Sequence, residues 1–142
     1  ATQMSMIIEM LRLHEGVETH AYKCTANKTT IGVGRNIDPD GGIGLSDDEI
    51  DYLLLGDVKR VQSELMNIFP WFFDLCEVRK DAMIDICFNM GLPRLLKFEK
   101  SLTAMSIGDY DRAADEFLDS RWANQVGARS ITITDMIRTG DY

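Results

Sequence analysis

The sequence predicts an α+β fold: a small N-terminal lobe with an antiparallel β-sheet, a long connecting helix, and an all-helical C-terminal lobe. Three observations predict it. Between Thr19 and Ile43, short runs of Thr, Tyr, Val and Ile are broken by Thr25-Ala26-Asn27-Lys28 and Asp38-Pro39-Asp40-Gly41-Gly42, the pattern of short strands joined by turns. Ser46-Asp47-Asp48-Glu49 is a capping box opening an apolar-periodic segment that runs to about residue 67. After Pro70 every apolar pattern has helical spacing.

Element by element, Ser5 is the expected N-cap of a first helix with apolar positions 6, 7, 10, 11 and 13, and Gly16 supplies a left-handed stop. The spine helix, roughly 46–67, carries apolar residues at 50, 53, 54, 58, 61 and 65; twenty residues would span about 30 Å. Val78, Ala82, Met83, Ile86, Cys87 and Met90 form one stripe ending at Gly91, and further helices are expected at 93–96, 101–107, 109–119 and 128–138. The chain reads as one domain, 1–142, with lobes of roughly 14–57 and of 1–13 plus 66–142, and a cleft between them.

Composition excludes several classes. With 45% hydrophobic residues the chain can build a core. A net charge of −8 argues against nucleic acid as a partner, because phosphate contacts need a basic surface. His14 and His20 lack ligand-spaced companions, so no metal and no cofactor is expected. Cys24, Cys76 and Cys87 form no CxxC pair and are odd in number, which fits synthesis in a reducing cytosol; Cys76 and Cys87 are expected to be buried. Glu9 and Arg12 interrupt the apolar start, so neither a signal peptide nor stable membrane insertion is expected. Gly32-Val33-Gly34 lacks the third glycine and following helix of a dinucleotide site. Trp71-Phe72-Phe73 and Trp122 read as core anchors rather than a sugar platform.

One constellation could carry chemistry. Glu15 closes the first helix, where a lone glutamate is ordinarily a solvated surface group. A carboxylate there mildly opposes the helix dipole, a weak hint that something other than stability chose it. Cys24 follows after eight intervening residues and Thr30 after five more. A helix end and a returning pair of strands can gather these side chains around one cleft. Cleaving a glycosidic bond needs a proton donor for the leaving oxygen and a group that handles water or the sugar carbon. Glu15 fits the first role, Cys24 and Thr30 the second.

Leu11-Arg12-Leu13-His14-Glu15-Gly16, Ala21-Tyr22-Lys23-Cys24-Thr25 and Thr30-Ile31-Gly32-Val33-Gly34 together resemble the signature of the phage lysozymes, glycoside hydrolase family 24. The likeness continues through Cys87-Phe88-Asn89-Met90-Gly91, Phe98-Glu99-Lys100-Ser101-Leu102, Ser120-Arg121-Trp122-Ala123-Asn124-Gln125 and Arg138-Thr139-Gly140. The resemblance implies a lysozyme fold and a peptidoglycan substrate. It makes Glu15 the general acid, puts Cys24 where Asp is usual, and makes Thr30 the residue that orients water. It implies inversion at the anomeric carbon and sugar contacts from Asn36, Phe88 and Ser101; Glu116 falls on a further contact position where an amide is more usual. Arg129 matches an arginine that would lie near Glu15 and favour its charged form.

Two departures stand out. A thiol with an ordinary pKa of about 8.5 is mostly neutral at pH 7 and a poor base, though it can place water; a thiolate would do better and would also be a nucleophile. Arg35 stands where the best-known members carry a histidine paired with an aspartate. Asp57 matches that aspartate, so an Arg35–Asp57 pair is expected.

The resemblance thus implies a monomeric endolysin that waits in the host cytoplasm and reaches the wall by way of a holin. The limits of the chain favour that free enzyme. Competing readings are a lysozyme module of a phage tail, and a glycan-binding relative that lost catalysis, suggested by Cys24 and the acidic charge.

Overall fold

The computed structural model describes residues 2–142, and the chain divides into two compact units, Ala1–Tyr52 and Leu53–Tyr142. The first unit opens with α1 (Gln3–Glu15). Its N-cap is Thr2 rather than the expected Ser5: the Thr2 hydroxyl accepts from the Ser5 N–H at 3.1 Å, so Ser5 is already inside the helix. At the other end Gly16 (φ 76°) donates its N–H to the Arg12 carbonyl, the stop expected from its position.

Three antiparallel strands follow in the order β1 (Glu18–Lys23), β2 (Thr29–Gly32), β3 (Arg35–Asn36). Tyr22 faces Thr30, and Thr30 faces Asn36. The first turn is closed by Cys24, whose N–H donates to the Lys28 carbonyl (3.0 Å) and whose own carbonyl accepts from Asn27 (2.8 Å). Asn27 sits at φ 60°, a conformation that asparagine tolerates better than most residues. Past β3, the Asp38 carboxylate accepts the N–H groups of Thr29 and Asp40, each at 3.0 Å, which holds its carboxyl below the usual range. Glycine is obligatory inside this loop: a Cβ at Gly42 would lie 2.5 Å from the Asp38 backbone.

The capping box forms as read. Ser46 Oγ accepts from the Glu49 N–H at 3.2 Å and Glu49 Oε1 accepts from the Ser46 N–H at 2.8 Å, opening α2 (Asp47–Ile68). A 3₁₀ turn (Pro70–Asp74) leads into the helices of the second unit. These are α3 (Glu77–Met90), α4 (Leu92–Leu95), α5 (Glu99–Ser106), α6 (Tyr110–Leu118), α7 (Arg121–Val126) and α8 (Ala128–Thr139). The sequence reading had no helix at α7, though Ser120 caps it by accepting from the Ala123 N–H.

The core of this unit gathers Leu65, Phe72, Met83, Ile86, Phe117, Trp122 and Ile137, with α8 packed on α3 and α6. Trp122 is buried, as expected, and its indole N–H donates to Asn89 at 2.8 Å. The aromatic run divides: Phe72 enters the core, Trp71 stacks on Phe69 at 4.8 Å, and Phe73 faces solvent. Arg79 donates to the carbonyls of Ile137 and Arg138 at the end of α8 while stacking 3.8 Å over Tyr110. Cys87 is buried, with its thiol pushed up to about 11 by desolvation and by Glu64. Cys76 corrects the expectation. It is exposed, because it is the N-cap of α3 and its neighbour Leu75 takes the inward position. No described helix is long and apolar enough to cross a membrane.

Candidate active site

The first unit carries the residues with chemical potential. Glu15 is the last residue of α1, exposed, and directed at the turn between β2 and β3. The approach is close enough that a Cβ on Gly34 would stand 2.6 Å from Glu15 Oε2. Gly34 also has φ +67°, so two constraints exclude a side chain there. Gly34 thus makes room for the Glu15 carboxylate, whereas a Cβ on Gly32 would meet nothing within 4 Å.

On the same sheet, Thr30 is the one buried residue described in the unit, at 4% exposure. Its hydroxyl donates to the Lys28 carbonyl at 2.9 Å. Cys24 is half-buried at the end of the β1–β2 hairpin. Its thiol is held below its ordinary value, chiefly by the Lys28 backbone N–H and then by that of Ala26. The Thr30 hydroxyl adds a smaller contribution, and desolvation opposes them. Backbone donors aimed at sulfur favour the thiolate.

Asn36, opposite Thr30, uses its side-chain oxygen to accept the Asp38 N–H at 2.9 Å and its backbone carbonyl to accept from Ile43 at 2.9 Å. It organises the loop, and among the described residues its side-chain NH₂ has no hydrogen-bond partner. Arg35 departs from expectation. Its guanidinium donates to Glu49 Oε1 at 2.7 Å and to the Gly44 carbonyl at 3.0 Å, while Asp57 pairs with Arg60 at 2.9 Å. Arg35 therefore ties β3 to the first turn of α2 through the capping-box carboxylate. Asp57 instead takes the cation three residues on, along its own helix.

The second unit holds the other expected residues. Phe88 is 44% exposed and lines a hollow of about 500 Å³ with Arg60, Glu64 and Leu92. Ser101, 1% exposed, has a hydroxyl oxygen with no partner among the described residues. It borders a hollow of about 260 Å³ that Glu116 and Asp119 also line. Arg129 donates through Nε to Asp85 at 2.9 Å and through a second nitrogen to the same oxygen.

A three-stranded sheet followed by a bundle of short helices, with a glutamate at the end of the first helix and a threonine on the second strand, is the arrangement expected of a lysozyme-type glycoside hydrolase. Comparison with known proteins names the branch. The sequence profile of the phage lysozyme family matches residues 12–135, and the chain belongs to that family. It is 29% identical to the pre-baseplate central spike protein Gp5 of Enterobacteria phage T4, over 97% of this chain but 28% of that protein. To probable T4-type lysozyme 2 of Dictyostelium discoideum it is 26% identical over 96% of both chains. An endolysin of Acyrthosiphon pisum secondary endosymbiont phage 1 shares 25% identity, over 85% of this chain and 81% of that one.

Proposed function

We propose that the chain cleaves the β-1,4 bond between N-acetylmuramic acid and N-acetylglucosamine, with inversion, as a single lysozyme domain acting in host lysis. The observation that carries this reading is Glu15 seated on the Gly34 turn of the sheet that also holds Thr30 and, at the end of its first hairpin, Cys24. Glu15 gives its proton to the leaving glycosidic oxygen. Thr30 and Cys24 hold the attacking water, and the thiolate form of Cys24 accepts a proton from it as the carbon–oxygen bond forms. Phe88 and Ser101 supply sugar contacts, and Asn36 adds one through its NH₂ group. Arg129, Arg35 and Asp57 serve as supports through the ion pairs they form.

In this reading the protein works as a monomer, waits in the host cytoplasm and gains the wall through a holin. The match to the spike protein Gp5 over nearly the whole chain favours a second reading, a lysozyme module of a phage tail or baseplate used for entry. Mass spectrometry of the soluble products from Gram-negative peptidoglycan tests the chemistry. Muropeptides with reducing N-acetylmuramic acid ends are expected, with the α-anomer first seen by proton NMR. Intact wall sedimenting with bound protein would instead make the chain a binding relative.

A further inference from the structure

We infer that the hollow bordered by Ser101 and Glu116 binds a protonated amino group on a sugar, so that the protein prefers glycan in which glucosamine has lost its N-acetyl group. This deepens the peptidoglycan reading above and rests on it. The hollow encloses about 260 Å³, and its lining comes from two stretches, 97–101 and 116–120. The first runs into α5 and the second covers the end of α6, two helices that pack on one another.

Among the described residues, Ser101 Oγ is the one buried side-chain polar atom without a hydrogen-bond partner. At 1% exposure the residue is cut off from bulk water. Such a group is costly unless something entering the hollow completes it. From the second stretch come two carboxylates, Glu116, half-buried, and Asp119, exposed. Neither forms an ion pair among the described residues, whereas Asp85 and Asp115 pair with Arg129 and Arg138.

These groups state what the ligand must bring. A carboxylate only accepts hydrogen bonds, and the Ser101 hydroxyl can accept as well. An ammonium group has three N–H donors and a positive charge, so it can serve all three acceptors with charge-assisted bonds. An N-acetyl group cannot: it has a single N–H, and its carbonyl oxygen would face carboxylates.

The remaining residues decide what carries the ammonium. Lys97 and Lys100 also border the hollow, exposed and without a carboxylate partner among the described residues. They would repel a metal ion or a polyamine entering the same space. A sugar ring instead offers them hydroxyl oxygens, and its C–H face can lie on Phe98, whose ring is backed by Phe117 at 5.5 Å between centroids. An amino sugar carries amine, hydroxyls and apolar face on one ring. Glycan stripped of acetyl groups also gains positive charge, which a chain of net charge −8 attracts.

Calorimetric titration of the whole chain with a peptide-free glucosamine tetramer tests this, against the N-acetylglucosamine tetramer. The amine tetramer should bind at least about tenfold more tightly. Glu116→Gln and Asp119→Asn keep size and remove charge, and each should weaken it about tenfold, the size of one lost charge-assisted hydrogen bond. Ser101→Ala should weaken it about fivefold, as for a neutral bond. Spermidine at equal concentration should not displace the tetramer. Chemical de-N-acetylation of wall fragments should lower KM with kcat kept, and the Glu116→Gln, Asp119→Asn double variant should lose that difference. Equal binding of the two tetramers, unchanged binding by the double variant, one-for-one displacement by spermidine, or a KM indifferent to acetylation overturns the assignment. Cleavage of wall glycan without any preference would leave the muramidase reading standing alone. Binding of the amine tetramer without cleavage of any glycan would keep this site and sink the muramidase reading instead.

Discussion

The two units of the chain are stabilised by different means. In Leu53–Tyr142, helices close over apolar side chains, and every buried apolar residue described lies between Val61 and Ile137. In Ala1–Tyr52, the one buried residue described is a threonine, and the loops hold together through hydrogen bonds and ion pairs around Asp38, Arg35 and Glu49. The residues assigned to bond cleavage are all in the second kind of structure. Apolar packing makes each unpaired polar group costly, whereas a sheet laced by backbone donors can aim N–H groups at Cys24 and leave room at Gly34 for Glu15. Stability and chemistry are therefore assigned to different stretches of chain, which makes the division testable.

The largest effect should come from Glu15→Gln. Loss of a general acid costs about 10²–10⁴ in rate, while the melting temperature should stay that of the wild type; a folded variant with full lytic activity would remove Glu15 from the mechanism. In the opposite direction, Ile137→Ala opens a cavity at a fully buried position and should cost about 2–5 kcal/mol in urea unfolding, with the rate per folded molecule kept at low temperature. Gly34→Ala is the sharpest probe of the first unit. The added carbon must push Glu15 aside, so we expect at least about a tenfold loss of kcat by misplacement of the acid, with KM little changed.

Cys24 gives a graded result. Cys24→Ala should be much less active than Cys24→Asp, since a carboxylate restores a charged water-holding group, and equal activities would exclude the thiol. Because the thiol is held below its ordinary value, alkylation by iodoacetamide should become fast at a lower pH than for a free cysteine, and lytic rate should rise with pH through the same range. The smallest effect concerns Glu49. Its carboxyl lies below the usual range, through the Ser46 N–H first and then Arg35. A depressed folded pKa gives stability that is full above the ordinary glutamate value and lost as pH falls through the depressed one. Glu49→Gln should therefore lower stability slightly at neutral pH, where the contribution is full, and flatten the acid limb of the unfolding profile, its stability converging on that of the wild type as pH falls below about 4.5.

Much of this division was legible in the residues. The turns around 25–28 and 38–42, the Gly16 stop and the Ser46–Glu49 box each express a local rule, and each formed where the spacing placed it. What the sequence hid were choices settled by tertiary geometry. Arg35 had several acids within reach along the chain, and only the placement of β3 beside the start of α2 selects Glu49. The exposure of Cys76 depends on Leu75 taking the inward position after the 3₁₀ turn, which an aromatic run does not disclose. Helix α7 is six residues long, too short for periodicity to register, and only the Ser120 cap marks it.

The contact between Gly34 and Glu15 also bears on how such chains diversify. In a saturation library scored for bacterial lysis, position 34 should be as intolerant as position 15, although its residue has no functional group. A depleted column without chemistry is easily mistaken for noise or for a folding defect. Here it would mark the footprint of a neighbour's carboxylate, so that pairs of intolerant positions, one reactive and one glycine, can locate an acid in family members too distant to align.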